Sequence, residues 1–375
     1  MRKALLLILS CCAALNVYAA AFRDSTQYDG LSHHIGVNIR PSYNMPTHGF
    51  YRGWNPLDKP LRTGGSAHLQ YSFSLPGSMT YQGIGLGAQT FLCTELVGTP
   101  TSLYIFQGVR LLQPTPELSV GYEWNFGLSY GWKPNGIVLS SKSNAYINVG
   151  ILFNYKFNQH WTLTAGPEYT HYSNGDTSFP NGGANSLNFR IGAVRTFSKT
   201  TEVPEYIKRQ AEPRKKDLTY DLTIFGSWRA DRGQLDGSLE LINDAFVVAG
   251  VNFNPLYHIG QHLAFGPALD LLYDSSANLR MHRSEKDSPV SYEPAPLKER
   301  CAAGISIRGE VGMPFFSVNV GLGYNVLYSG KELNCLYGMF NLKTSLTERI
   351  YLNIGYRLSS VLYSHNMMFG LGYRL

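Results

Sequence analysis

From His34 onward, apolar and polar residues alternate with period two through segment after segment. Side chains on a strand point to opposite faces in turn, so this alternation predicts strands with one dry face and one wet face. The clearest example runs from Ala145 to Phe157, with Ala145, Ile147, Val149, Ile151, Phe153, Tyr155 and Phe157 on one parity and Tyr146, Asn148, Gly150, Asn154 and Lys156 on the other. The segment from Trp161 repeats the arrangement, and further segments run over 34–44, 67–75, 83–92, 103–112, 118–132 and 185–197. After a charged stretch that loses alternation, eight more follow, over 218–229, 245–254, 262–273, 301–313, 316–326, 336–346, 350–358 and 367–375. None of them sustains a helical period.

These segments are longer than the five or six residues of an ordinary sandwich strand. About nine to eleven tilted residues cross a hydrocarbon layer, where every backbone group must find a partner within the protein. The expected fold is therefore all-β: a transmembrane antiparallel β-barrel of about 16 strands, with the apolar parity facing lipid and a lumen of Gly, Ser, Asn and Arg. A weak internal echo, AYINVGILFN at 145–154 against AFVVAGVNFN at 245–254, admits a duplicated eight-stranded unit.

Composition narrows the function classes. Only 15% of residues are charged, and the net charge of +6 is spread along the chain apart from one basic cluster at 208–216, which gives nucleic-acid binding little support. Arg2 and Lys3, the apolar run 4–9 and Val17-Tyr18-Ala19 form a targeting segment with a small-residue cleavage site, so residues 1–20 read as a signal peptide and the chain as exported. Cys93, Cys301 and Cys335 are too widely spaced for a disulfide framework or a metal site. No cofactor or metal is expected.

One strand breaks the pattern. Trp161, Leu163, Ala165, Pro167 and Tyr169 share the apolar parity, and His171 and Ser173 continue it. A potential base and nucleophile thus project from the lipid face, ten and twelve residues beyond Trp161. In an up-and-down barrel with a periplasmic N-terminus that is the outer-leaflet interface, where polar groups cost less than at the midplane. The stretch THYSNGDTSFPNGGAN, 170–185, resembles the signature of the outer-membrane lipid A 3-O-deacylases, the PagL-type acyloxyacyl hydrolases. YQGIGLG at 81–87, YEWNFGLSYGW at 122–132 and NAYINVG at 144–150 are similar to longer, Bacteroides-type members.

The resemblance implies an eight-stranded deacylase-like half over 21–198; the loss and return of alternation mark a charged linker over 199–217 and a second β half over 218–375. It implies Ser173 as nucleophile, His171 as general base and Asn174 as an oxyanion contributor, with Gly175 and Asn181 in the adjoining loop. The implied activity is removal of an ester-linked acyl chain from lipid A or another lipid of the Gram-negative outer membrane, by a membrane-embedded protein. Association as a homodimer is compatible with this reading.

The family has a Glu fourteen residues after the His, where this chain has Asn185. An amide oxygen can fix the imidazole tautomer but cannot neutralise imidazolium. Two alternatives follow: a lipid-binding or structural barrel with weak or absent turnover, and a pore. Sixteen strands in one barrel would enclose an aqueous channel, unless loops or Arg190, Arg308, Glu310 and Lys343 close it.

Overall fold

The computed structural model describes residues 31–75, 78–199, 217–259, 262–284, 288–312, 316–333, 335–359 and 363–375. The signal peptide expected over 1–20 and nearly all of the linker expected over 199–217 lie outside them. Eight strands, β1 (Leu31–Asn44), β2 (Thr63–Ser74), β3 (Thr80–Thr90), β4 (Gly98–Leu112), β5 (Leu118–Trp132), β6 (Ser143–Lys156), β7 (Trp161–Ser173) and β8 (Ala184–Lys199), pair in sequence order. They close through β1 with β8. Eight more, β9 (Leu218–Leu235), β10 (Ser238–Ile259), β11 (Leu263–Asp274), β14 (Cys301–Gly312), β15 (Phe316–Tyr328), β16 (Leu336–Ser345), β17 (Ile350–Ser359) and β18 (Tyr363–Arg374), close a second barrel through β9 with β18. The small hairpin of β12 (Arg280–His282) and β13 (Ser291–Glu293) lies in the long β11–β14 connection. Single-turn helices α1 (Gly49–Arg52) and α2 (Thr94–Val97) lie in loops of the first barrel.

The sixteen expected barrel strands are all present, but as two closed eight-stranded barrels. The single wide barrel on which the pore reading depended does not form. An eight-stranded barrel is just wide enough for side chains to fill, and charged groups fill both lumens. In the first, Arg40 Nε stands 3.1 Å from Glu168 Oε2, and Arg190 lies 2.7 Å from Glu168 and 2.6 Å from Glu123. In the second, Lys343 and Arg374 bridge Asp221 and Glu310, while Arg308 pairs with Asp270 at 2.6 Å. The outward parity is apolar and exposed, as with Ile35, Val37 and Ile39 on β1 and Leu187, Phe189 and Ile191 on β8. An exposed apolar belt around a fully paired sheet is what lipid requires and water penalises.

Removing one partner of a buried ion network strands the others. Arg190→Met should therefore destabilise the first barrel by about 3–5 kcal/mol, read as a lowered urea midpoint in the heat-modifiable gel shift of the detergent-solubilised protein. An unchanged midpoint would mean that the Glu123 and Glu168 carboxylates do not depend on Arg190.

By contacts the chain divides into two compact units. Among the described residues the first holds 31–131, 146–172 and 184–199; the second holds Trp132–Ala145, Ser173–Gly183 and those from 217 to 375. Two loop segments of the N-terminal half thus belong to the unit of the C-terminal barrel. Strands β9 and β10 outrun the alternating segments expected at 218–229 and 245–254, because charged residues such as Arg229, Asp231 and Arg232 replace the apolar face beyond the belt. Their hairpin turns on Asp236 and Gly237, both at positive φ (52° and 77°), with Leu235 paired to Ser238. Asp-Gly is the preferred pair for such a two-residue turn. It was the available signal for the extension.

Candidate active site

Strand β7 carries His171 and Ser173 on one face, with Tyr172 between them turned into the barrel and 1% exposed. Register fixes the neighbour: His171 sits opposite Asn185 on β8, and Tyr169 opposite Leu187. The His171 Nδ1 is 2.7 Å from Asn185 Oδ1. A carbonyl oxygen only accepts, so the imidazole proton lies on Nδ1 and Nε2 carries the free lone pair. Tyr169, on the same lipid-facing parity, donates its hydroxyl to the same Asn185 oxygen at 2.6 Å.

The other end of the Asn185 amide is anchored too. Its Nδ2 donates to Thr47 Oγ1 at 3.2 Å, and the Met45 N–H donates to the Asn185 main-chain carbonyl at 2.8 Å. The β1–β2 loop therefore orients the amide, and the amide orients the imidazole. Sequence reasoning placed Asn185 on the outward parity but missed Thr47 and Tyr169. Tyr169 was legible as a polar-tipped ring two residues before His171, on the same face; Thr47, 138 residues from Asn185, left no local signal.

Glu168, the nearest acidic residue along β7, points into the lumen and pairs with Arg40 and Arg190. It is not an orienting group for His171.

Within the second unit, the segment after Ser173 is a tightly bonded loop. Asn174 is 4% exposed; its Nδ2 donates to Ser178 O at 2.7 Å and to Ser140 Oγ at 3.0 Å. Its main-chain N–H donates to Asn181 Oδ1 at 3.1 Å, while Asn181 Nδ2 donates to Asp176 Oδ1 at 2.9 Å. Asn174 and Asn181 are thus struts of the loop, and the Asn174 donors are occupied.

The C-terminal chain grips the same loop. The Ala230 N–H donates to Asp176 O at 2.8 Å. Asn243 accepts from Phe179 N at 2.7 Å and donates to Phe179 O at 3.0 Å, and the Arg232 guanidinium lies 5.6 Å from the Phe179 ring centroid. Together these hold the backbone directly downstream of Ser173 at several points.

The comparisons with known proteins follow this division. Residues 47–193 match the family described as Lipid A 3-O-deacylase (PagL), and residues 218–375 match the one described as Acyloxyacyl hydrolase, C-terminal domain. The chain belongs to the PagL lipid A 3-O-deacylase family. The first match spans Thr47 through Asn185, every side chain of the His171 cluster, and the second spans all eight strands of the C-terminal barrel.

No curated protein sequence matches the chain. Among solved structures it is similar to the NanC porin at 7% identity, over 90% of this chain and 98% of that one, with a TM-score of 0.16. It is also similar to the toluene transporter TbuX of Ralstonia pickettii at 9% identity, 93% and 90% coverage and a TM-score of 0.18. The translocator domain of the autotransporter NalP from Neisseria meningitidis gives 8%, 100% and 98%, and 0.19. Superpositions this loose carry no argument about function, and the fold is read from the closed barrels themselves.

Proposed function

We propose that the protein is an outer-membrane serine esterase that removes an ester-linked acyl chain from lipid A, with Ser173 as nucleophile, His171 as general base and Asn185 as the group that orients His171. The observation that carries this reading is the 2.7 Å contact between His171 Nδ1 and Asn185 Oδ1. It leaves Nε2 as the acceptor a serine hydroxyl needs if it is to attack an ester carbonyl. Residues 1–20 deliver the chain across the inner membrane, and the apolar belts hold it in the outer one.

The substrate suits the place. Acyl esters of lipid A lie at the boundary between headgroup and hydrocarbon. A nucleophile on the outer wall of a barrel meets them there without extracting the lipid. Exposed Leu187 and Phe189, on the same parity as Asn185, offer an apolar surface for the acyl chain.

The chemistry then proceeds in two stages. Ser173 Oγ adds to the carbonyl carbon while His171 Nε2 takes its proton; collapse expels the sugar oxygen, which receives that proton from His171. Water, deprotonated by His171, next hydrolyses the acyl-serine and releases the fatty acid.

A long-chain alkyl fluorophosphonate tests the nucleophile directly. It should add one phosphonyl mass to the peptide containing Ser173, and His171→Ala should suppress the labelling. Modification of a different residue, or none at concentrations that label other serine esterases, would count against the assignment.

A further inference from the structure

The second barrel reaches Ser173 through Tyr356. This residue lies on β17, and its hydroxyl faces the Ser173 side chain. A Cβ built on Gly175 would stand 2.4 Å from the Tyr356 oxygen and 2.7 Å from both Cγ and Sδ of Met367. Gly175 also sits at a positive φ of 66°, where a side chain is strained, so glycine suits this close approach. All four residues belong to the second unit.

The Tyr356 hydroxyl oxygen is buried, and the polar group it faces is the Ser173 hydroxyl, with which it does not reach full hydrogen-bond geometry. A buried hydroxyl without a well-formed hydrogen bond costs about 1–3 kcal/mol, so the placement of this one beside Ser173 calls for a reason. Ester hydrolysis provides one, because the tetrahedral intermediate creates an acceptor that the resting enzyme lacks. Asn174 cannot fill that role as it stands: both its amide hydrogens and its main-chain N–H are engaged in the loop.

We propose that Tyr356 is a catalytic residue of the C-terminal barrel that donates its phenol O–H to the oxyanion formed on Ser173. The inference rests on the esterase reading of His171 and Ser173. As Ser173 Oγ bonds to the carbonyl carbon, the C=O π pair moves onto oxygen, and the phenol donates to it while keeping its own proton. The Ser173 proton goes to His171 and then to the departing sugar oxygen. When the C–O bond to the sugar breaks, the π bond re-forms and the donor is released. At the edge of the hydrocarbon such a donor acts against little competing water, which strengthens it. Within the second unit, β17 thereby supplies a donor to the acyl carbonyl on Ser173 as well as packing against its loop.

The test uses the purified full chain in detergent with lipopolysaccharide as substrate. Tyr356→Phe keeps the ring and removes only the hydroxyl; kcat should fall by about 10²–10³, the loss typical of one oxyanion donor, with KM unchanged. A long-chain alkyl boronic acid, which adds to a serine as a tetrahedral anion, should lose inhibitory potency by a similar factor. An unchanged kcat overturns the proposal, and so does a loss of kcat with undiminished boronate inhibition, which would mark a packing role.

If Tyr356→Phe fails to give the heat-modifiable gel shift of a folded barrel, 3,5-difluorotyrosine at position 356 replaces it. Activity should then fall with rising pH as the more acidic phenol loses its proton; a profile matching wild type overturns the idea. Ser173→Ala, assayed alongside, separates the two levels. Full activity in Ser173→Ala defeats the esterase reading and Tyr356 with it, whereas an inactive Ser173→Ala beside an unimpaired Tyr356→Phe defeats the Tyr356 proposal alone.

Discussion

Ser173→Ala should bring fatty-acid release from lipopolysaccharide down to the level seen without protein. Losing the nucleophile of a serine hydrolase triad costs on the order of 10⁶ in kcat, and what remains comes from binding and oxyanion stabilisation. The exchange removes one oxygen from a half-buried side chain, so both barrels should persist, with the gel shift of the folded protein unchanged. Binding of lipid A should persist as well, because the apolar wall around Leu187 and Phe189 is untouched. Release at the wild-type rate would show that another group attacks the ester, whatever the role of His171.

The second large effect concerns Asn185. In a serine-protease triad, exchanging the acid for its amide costs about 10⁴ in rate through the imidazole tautomer. Here the tautomer is already favourable, because Asn185 Oδ1 accepts from His171 Nδ1 and the amide is held by Thr47 from its other end. What the amide lacks is charge to stabilise imidazolium. Asn185→Glu should therefore raise kcat, by less than about 10⁴, since the tautomer share of that factor is already in place. The Tyr169 hydroxyl can donate to a carboxylate as it does to the amide, and Thr47 can turn from acceptor to donor. Asn185→Leu should move the other way, leaving the imidazole without a fixed proton. Steady-state fatty-acid release by the three proteins checks the order Glu, Asn, Leu; a fall on introducing Glu would mean that the amide itself is what this site needs.

Much of the architecture was legible because lipid leaves the chain so few choices. An apolar residue at every second position, sustained for ten or more residues, has few uses other than a barrel wall, and each of the sixteen alternating segments became a strand. Barrel closure was not legible. Pairing β1 with β8 and β9 with β18 is a long-range event that no local pattern encodes, and two small barrels or one large one share the same alternation.

The site divides in the same way. The pairing of His171 with Asn185 was legible because a hairpin sets them opposite each other on neighbouring strands, and period two gives Ser173 the parity of His171 along β7. The anchoring of Asn185 by Thr47 and of Phe179 by Asn243 was not, since each anchor comes from a distant element. Asn174 shows the opposite limit. The motif suggested a donor to the substrate, whereas the folded loop uses its amide to hold Ser178 and Ser140. Sequence supplies the residue type, but only the fold decides where its hydrogens go.

A barrel wall that hydrolyses an ester of lipid A leaves its mark on the lipid A around it. The most direct measurement is the mass spectrum of lipid A from outer membranes containing the wild-type protein, compared with membranes containing Ser173→Ala at equal abundance. A species lighter by one fatty acid less a water should appear in the first and be absent from the second. Identical spectra, with every acyl chain retained in both, would contradict it.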